Sequence, residues 1–262
     1  MTSAGRVARF AVLAAVTPML LASACESNAT TSGGASGNGS AGPITVFAAA
    51  SLTESFTQIG RDFQAKEGRT VTFNFGASST LATQINQGAP ADVFAAASPA
   101  TMKAVTDAGG AGAPVDFASN TLQIAVPEGN PAQVSGLADF ADEAKKIALC
   151  APQVPCGAAS EKVFAAAQIT PQPDTLEQDV KATLAKVAAD EVDAALVYKT
   201  DVIDSPDEVD GVDFAESDQA VSQYPIATLT ASQAPEVSQA FVDYVLSPEG
   251  QSVLTRAGFA QP

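Results

Sequence analysis

Short apolar runs alternate with amphipathic segments along most of the chain. Residues 44–49 form a mainly apolar run, which predicts a buried strand. Residues 52–66 place Phe56, Ile59 and Phe63 on one face at helical spacing. The further predicted strands are 71–75, 92–96, 122–126, 146–150, 194–198 and 226–229. The further predicted helices are 80–87, 158–167, 177–189, 235–246 and 248–257.

The order of these elements predicts the fold class. Strands that alternate with helices indicate parallel pairing in an α/β fold. One segment, 203–219, is rich in acidic residues and predicts a surface loop region. The chain shows no internal repeat, so the alternation predicts a single α/β architecture rather than an array of copies.

The N-terminus has the composition of a targeting segment. Arg6 and Arg9 precede an apolar run over 10–22, and no acidic residue occurs before Glu26. A short apolar run behind positive charges is typical of a secretory signal, and it is too short to span a membrane comfortably. We therefore predict a signal peptide over residues 1–24.

A cysteine follows the predicted signal peptide directly. The small residues 22–24 lead into Cys25, which predicts a lipobox whose cysteine carries a palmitate-containing lipid anchor. An ordinary signal peptide with a chance cysteine is the alternative interpretation. Residues 25–42 are rich in Gly, Ser and Thr, as expected of a flexible tether. The predicted location is the outer face of the cytoplasmic membrane, or the periplasm.

Composition and charge exclude several classes of function. The formal net charge is -16, and a nucleic-acid-binding surface needs clustered Lys and Arg, so nucleic acid is not an expected partner. The chain contains no histidine. A Ser-His-Asp triad is therefore impossible, and the Ser-x-x-Lys and phosphate-loop motifs are also absent. These observations predict that the protein is not an enzyme.

Four junctions between a predicted strand and a predicted helix share one design, in which small or polar residues begin the helix. They are 50–52, 77–80, 154–157 and 178–181. In open α/β sheets ligands collect outside the carboxyl ends of the strands. Helix N-termini present unpaired N–H groups and a partial positive charge, so several of them together would form an anion site.

Each of these junctions also has an ordinary structural interpretation. Ser51 precedes Glu54 by three residues, which is the pattern of a capping box. Ser78 and Ser79 are common helix-capping residues as well. Tyr198 ends an apolar strand, where a tyrosine is more often part of the core or its rim. The residues alone therefore suggest an anion site without proving it.

Cys150 and Cys156 bracket the short segment Ala-Pro-Gln-Val-Pro. Export would place them in an oxidising compartment, which favours a disulfide. Metal binding by this pair would need further soft ligands, and the sequence supplies none. The disulfide would close a small loop, so its main effect would be to fix the backbone at residues 155–157.

Seven distinctive motifs follow one another along the chain in order and with sensible spacing. They are ITVFAAASLT at 44–53, FGASSTLA at 75–82, GAPADVF at 88–94, VPCG at 154–157, DVK at 179–181, LVY at 196–198 and YPI at 224–226. In these motifs the sequence resembles the substrate-binding proteins of molybdate ABC transporters, and the resemblance covers essentially all of residues 43–262.

The resemblance implies a type II periplasmic-binding-protein fold, in which two α/β lobes are joined by two crossing hinge segments. The crossings should fall near residues 120–123 and 222–226. Lobe one would comprise 43–121 together with 225–262, and lobe two would comprise 122–224. The ligand would lie between the lobes.

The resemblance also implies a set of ligand contacts. The residues at matching positions are Ser51, Ser78, Cys156, Val180 and Tyr198. Cys156 stands where the family motif has alanine, and a contact through the backbone N–H tolerates that change. Val180 would also contribute its N–H. The two serines would each contribute a hydroxyl and a backbone N–H, and Tyr198 would contribute its hydroxyl. Ser79 adjoins the second serine and is a weaker candidate.

The implied ligand is molybdate or tungstate, held as an oxyanion without a cofactor and without direct protein ligands to the metal. A fully deprotonated dianion offers only acceptors, so a pocket made of donors suits it and rejects hydrogen phosphate. The implied partners are the permease subunits of an ABC importer and, through the lipid anchor, the membrane. The protein is expected to be a monomer.

Two alternatives remain open from the sequence. A protein of the same fold that binds another tetrahedral oxyanion, such as sulfate, would share most of these features. A secreted hydrolase with an unusual serine nucleophile would need an activating base beside Ser51 or Ser78, and no histidine is available for that role.

Overall fold

The computed structural model describes residues 42–262. The predicted signal peptide, Cys25 and nearly all of the predicted tether lie outside the described residues. The strands are β1 (Ile44–Ala49), β2 (Val71–Gly76), β3 (Val93–Ala95), β4 (Val115–Asn120), β5 (Leu122–Pro127), β6 (Ile147–Cys150), β7 (Thr175–Glu177), β8 (Ala194–Tyr198), β9 (Val209–Val212) and β10 (Ser222–Thr228). The helices are α1 (Thr53–Glu67), α2 (Ser78–Asn86), α3 (Pro99–Thr106), α4 (Pro155–Ala167), α5 (Val180–Ala188), α6 (Lys199–Ile203), α7 (Pro235–Leu246) and α8 (Pro248–Arg256). Three 3₁₀ turns cover Ala50–Leu52, Leu137–Ala141 and Ala215–Ala220.

These strands form two five-stranded sheets. The first sheet has the order β2-β1-β3-β10-β4, and the second has the order β7-β6-β8-β5-β9. Within the first sheet β1 runs parallel to β2 and β3, and within the second β6 runs parallel to β7 and β8. The two-sheet α/β architecture agrees with the predicted fold class.

Parallel pairing was wrong for part of each sheet. β10 runs antiparallel to both β3 and β4, and β5 runs antiparallel to both β8 and β9. The reason is topological. The chain enters the second sheet through β5 directly after β4 and later returns through β10, so neither strand belongs to a regular strand-helix-strand unit.

Each sheet packs against its own helices. One face of the first sheet packs an aromatic cluster in which Phe56 of α1 contacts Phe73, Phe117 and Phe241. Its other face packs residues of α2 and α3. The core of the second sheet is one cluster, which also takes in Ala50 and Ala77 from the loops that follow β1 and β2. Residues that follow two strands of the first sheet therefore pack against the core of the second sheet.

Two local predictions need correction. The segment predicted as a loop over 203–219 contains the edge strand β9 and a 3₁₀ turn. Asp210 lies in this strand and Glu216 and Asp218 lie in the turn, whereas the other acidic residues of the segment lie outside both elements. The helix predicted over 177–189 begins at Val180, because Asp179 caps it by accepting the Ala182 N–H at 2.9 Å. The residues just before that cap form strand β7.

The chain passes between the two sheets twice. The first passage is short, since β4 ends at Asn120 and β5 begins at Leu122. The second follows β9 and ends where β10 begins at Ser222, and Ser222 pairs with Asn120. Residues 222–224 therefore lie in a strand of the first sheet, although the lobe boundary predicted from sequence falls after them. The lobe boundaries themselves remain a prediction.

Candidate ligand-binding site

A cavity lies where loops of the first sheet face helix starts of the second. The cavity has a volume of about 20 Å³. Pockets for drug-sized ligands occupy roughly 300–1,000 Å³, so this cavity suits a smaller ligand. The residues that line it are Ala49, Ala50, Ser51, Gly76, Ala77, Ser78, Ala97, Val154, Pro155, Cys156, Asp179, Val180 and Tyr198. The five predicted contact residues are all among them.

Two buried serines form the wall on the first-sheet side. Ser51 lies in the 3₁₀ turn before α1, and its Oγ is 2.9 Å from the hydroxyl of Tyr224. Ser78 is the first residue of α2, and its Oγ accepts the N–H of Ala97 at 3.0 Å. Neither α1 nor α2 has a side-chain cap, so the capping interpretation of these serines was wrong. Their hydroxyls contact Tyr224 and the N–H of Ala97 instead.

Two helix starts form the opposite wall. Cys156 is the second residue of α4 and Val180 is the first residue of α5. N–H groups in the first turn of a helix have no acceptor within the helix, and the helix dipole adds partial positive charge there. Asp179 also lines the cavity, but its carboxylate is engaged as the cap of α5. This wall therefore offers backbone donors to an anion.

Tyr198 closes the cavity from the end of β8. Its side chain is 1% exposed, and its hydroxyl oxygen has no hydrogen-bond partner. The hydroxyl lies near the side chains of Ser222 and Tyr224 but meets the geometry of a hydrogen bond with neither. Burial raises the pKa of the Tyr198 phenol, so it keeps its proton and remains a donor.

A disulfide supports the helix start at Cys156. Cys150 at the end of β6 is bonded to Cys156, and their Cα atoms are 5.8 Å apart. The next residue, Gly157, packs against the turn inside this loop. A Cβ atom on Gly157 would lie 2.0 Å from the carbonyl oxygen of Ala151, so only glycine fits there. Both features fix the backbone that carries the Cys156 N–H.

A partly buried ion-pair network lies beside the cavity. Lys181 contacts Asp201 of α6 at 3.3 Å and Glu54 of α1 at 2.9 Å. Asp201 is fully buried and also accepts the Tyr198 N–H at 3.1 Å. Burial raises the pKa of Asp201 to about 6 against the opposing effect of Lys181. Burial alone lowers the pKa of Lys181, but the charges of Asp201 and Glu54 raise it above its usual value.

This network has two consequences for the site. The carboxylates of Asp201 and Glu54 neutralise the charge of Lys181. The hydrogen-bond donors of the cavity are therefore not supplemented by a free positive charge from this lysine. The ion pair between Lys181 and Glu54 also joins a helix of the second sheet to a helix of the first. The sequence pattern does not predict this network, because Glu54 lies three residues after Ser51 and matches the pattern of a capping box.

Ser79 does not belong to this cavity. It lines a separate surface depression together with residues of α2, α3 and Gln153. Sequence reasoning also assigned no role to Tyr224, whose motif was noted only as part of the resemblance. The contact between Tyr224 and Ser51 joins positions 173 residues apart, and no local pattern signals it.

Comparison with known proteins places the chain in a family. The sequence profile of the bacterial extracellular solute-binding proteins matches residues 44–260. The chain belongs to this family. Members bind solutes for transport and are not enzymes, in agreement with the sequence prediction. Among residues 42–262, no group of three or more Cys, Asp or Glu side chains is arranged to hold a metal ion.

Curated relatives of this solute-binding protein extend the match to nearly the whole chain. It is 41% identical to the molybdate-binding protein ModA of Mycobacterium tuberculosis over 251 residues, which cover 94% of this chain and 96% of that protein. It is 31% identical to the molybdate-binding protein ModA of Escherichia coli over 239 residues, covering 83% and 89%. Both relatives therefore align with the region that forms the cavity.

A solved structure agrees with the architecture of this solute-binding protein. The periplasmic molybdate-binding protein of Azotobacter vinelandii superposes with a TM-score of 0.68 over 84% of this chain and 99% of that one. Its sequence identity is 18%, so the likeness concerns the fold alone. No helix among the described residues has the length and apolar character needed to cross a membrane.

Proposed function

We propose that this solute-binding protein captures molybdate, or the closely similar tungstate, and delivers it to an ABC importer. The observation that carries the proposal is the composition of the cavity wall. Ser51, Ser78, Cys156, Val180 and Tyr198 line a space of small volume, and their hydroxyls and backbone N–H groups are the donors on which the proposal rests. The names of the two curated relatives support the same ligand.

The chemistry of the wall suits a fully deprotonated tetrahedral dianion. Such an ion presents only acceptors, and each hydrogen bond to a charged group contributes roughly 1.5–3 kcal/mol. Several such bonds in a preformed cavity outweigh the cost of desolvating and ordering the ion. An anion that carries a proton brings its own donor against the donors of the wall, so hydrogen phosphate should bind weakly.

We propose further that the two sheets are the cores of two lobes. The first lobe comprises 43–121 together with 225–262, and the second comprises 122–224. Because Ser222 pairs with Asn120 in the first sheet, the second boundary lies better at Ser222. The lobes would close on the anion and so create the surface that the permease recognises. The protein would act as a monomer held to the outer face of the membrane by a lipid on Cys25. Mass spectrometry of the membrane fraction tests the lipid directly.

The direct test of the ligand is calorimetric titration with sodium molybdate. We expect submicromolar binding to the wild-type protein and about 10- to 150-fold weaker binding to Ser51→Ala, as the loss of one hydrogen bond to a charged group implies. Ser79→Ala is the matched control, because this neighbouring serine lines a different depression. Its affinity should equal that of the wild type.

Two outcomes with the wild-type protein would contradict this proposal. One is the absence of heat with both molybdate and tungstate while circular dichroism shows a folded protein. The other is tighter binding of sulfate than of molybdate in a competition titration, which would assign the same site to a different oxyanion. If Ser51→Ala and Ser79→Ala weaken molybdate binding equally, this cavity is not the binding site.

Loss of the disulfide is expected to weaken both the fold and the site. A variant with Cys150→Ser and Cys156→Ser should lose about 2 kcal/mol of unfolding free energy, because the closed loop is short. It should also bind molybdate less tightly, since the Cys156 N–H is then less firmly held. Chemical denaturation and calorimetry measure the two effects. Unchanged affinity in the double variant would show that the bridge serves stability alone.

A further inference from the structure

Tyr224 is a buried aromatic residue of β10 that stands behind the cavity rather than in its wall. Its side chain is fully buried. Its ring makes edge contacts with Phe117, Tyr198 and Phe259, at centroid distances of 6.3, 6.0 and 5.3 Å. The ring is thus held from three sides, and only its hydroxyl reaches toward the site.

That hydroxyl meets Ser51. The two oxygens are 2.9 Å apart, so a hydrogen bond joins them, and either one is able to donate. The direction of this bond decides what Ser51 offers to the cavity. If Ser51 donates to Tyr224, its own hydrogen is used and its oxygen is left as an acceptor. If Tyr224 donates, the Ser51 hydrogen remains free for a ligand.

The second serine of the wall shows which arrangement the site uses. Ser78 Oγ accepts the backbone N–H of Ala97, and a backbone N–H is only able to donate. The lone pair of Ser78 is therefore engaged from behind, and its hydrogen is left for the cavity. Tyr224 occupies the corresponding position behind Ser51.

We propose that Tyr224 is a positioning residue, which donates its phenol hydrogen to Ser51 Oγ and so directs the Ser51 hydroxyl hydrogen at the bound anion. This inference rests on the proposed function and assigns a source of its selectivity. Tyr224 does not touch the ligand. It acts by making Ser51 a donor.

The surroundings of Tyr224 support this direction. Burial raises the pKa of the Tyr224 phenol well above its usual value, so it retains a hydrogen to donate. The Tyr198 hydroxyl lies near Tyr224 but does not meet the geometry of a hydrogen bond with it. Asn120, another polar side chain that interacts with the Tyr224 hydroxyl, has its amide oxygen engaged by the Thr121 N–H at 3.0 Å. Its amide nitrogen donates to Thr200 at 2.9 Å. Ser51 is therefore the acceptor best placed for the Tyr224 hydrogen.

The consequence is selectivity by protonation state. A dianion without hydrogen accepts from a Ser51 held as a donor, whereas hydrogen phosphate needs an acceptor for its own O–H. Removing the Tyr224 hydroxyl allows Ser51 to rotate and to offer its oxygen. Affinity for molybdate should then fall, while affinity for hydrogen phosphate should stay constant or rise.

The test is a double-mutant cycle measured by calorimetry with molybdate and with inorganic phosphate. Tyr224→Phe keeps the ring contacts, and we expect its molybdate affinity to fall about 3- to 10-fold, as loss of one neutral hydrogen bond implies. In the Ser51→Ala background the same substitution should cause no further loss. Tyr244→Phe, a tyrosine of α7 remote from the cavity, is the matched control.

The outcomes separate this inference from the proposed function. A wild-type protein that fails to bind molybdate overturns both. Normal wild-type binding with a further loss for Tyr224→Phe in the Ser51→Ala background shows a merely structural role and overturns the inference alone. An unchanged ratio of molybdate to phosphate affinity in Tyr224→Phe also overturns it. The inference is supported if Tyr224→Phe lowers the ratio of molybdate affinity to phosphate affinity when Ser51 is present but leaves it unchanged in the Ser51→Ala background.

Discussion

Replacing Tyr198 with phenylalanine is expected to stabilise the ligand-free protein and at the same time to weaken molybdate binding about 10- to 150-fold. The two effects share one cause. The Tyr198 hydroxyl is buried without a partner, and an unsatisfied buried polar group costs roughly 1–3 kcal/mol. Phenylalanine removes that cost, but it also removes a donor whose hydrogen bond to a charged ligand contributes roughly 1.5–3 kcal/mol.

Chemical denaturation without ligand measures the first effect, and calorimetric titration with molybdate measures the second. Tyr244→Phe serves as the control, and neither quantity should change by a comparable amount in it. A saturating concentration of molybdate should raise the melting temperature of Tyr198→Phe less than that of the wild type, because ligand stabilisation follows affinity. If stability and affinity fall together in Tyr198→Phe, the hydroxyl has a structural role and the assignment fails.

Replacing Lys181 with methionine is expected to lower the free energy of unfolding by about 3–5 kcal/mol near neutral pH. The substitution keeps most of the side-chain volume but leaves Asp201 as a fully buried carboxylate without its cation. Breaking one partner of a buried ion pair has costs of this size, because the remaining charge is uncompensated. The loss of the contact to Glu54 removes a link between the two sheet units as well.

The effect of Lys181→Met should depend on pH in a defined direction. The pKa of Asp201 is raised to about 6 by burial, so its folded form holds a proton more tightly than its unfolded form. Its contribution to stability is complete below about pH 4 and is lost as pH rises through about 6. Without Lys181 that pKa rises further, and the loss extends to higher pH. The variant should therefore be more strongly destabilised at pH 8 than at pH 5.5.

The matched control lies on the same helix. Lys186→Met breaks an exposed pair with Glu191, and exposed pairs contribute little to stability because water and salt screen them. Chemical denaturation of both variants across this pH range compares them. Equal destabilisation of the two variants, or a loss in Lys181→Met that does not vary with pH, would contradict the role given to the buried network.

Local patterns in the sequence predicted most elements of the fold, because apolar spacing reports directly which face of a strand or helix is buried. They did not predict the direction of pairing for β5 and β10. That direction depends on which sheet the chain enters next, and neighbouring residues do not encode it. The short edge strand β9 was hidden for a different reason, since its acidic surroundings outweigh its few apolar residues.

The wall of the site was predictable to the extent that it consists of residues at strand ends and helix starts. Ser51, Ser78, Cys156, Val180 and Tyr198 lie on one cavity, as the resemblance implied. What supports them was not predictable. Tyr224 and the carboxylate of Asp201 act through contacts made only after distant segments pack, and isolated tyrosines and aspartates have many ordinary roles.

Export would change the redox state of the Cys150–Cys156 pair, from two thiols on the cytoplasmic side of the membrane to a disulfide on the outer side. The cytoplasm keeps thiols reduced, whereas the exterior lets the bridge form. A newly made chain would therefore carry an unbraced Cys156 N–H and hold the oxyanion weakly before export. Oxidation after export would complete the site. Under the proposed function, the protein would then bind little of the anion inside the cell and would capture it only after export.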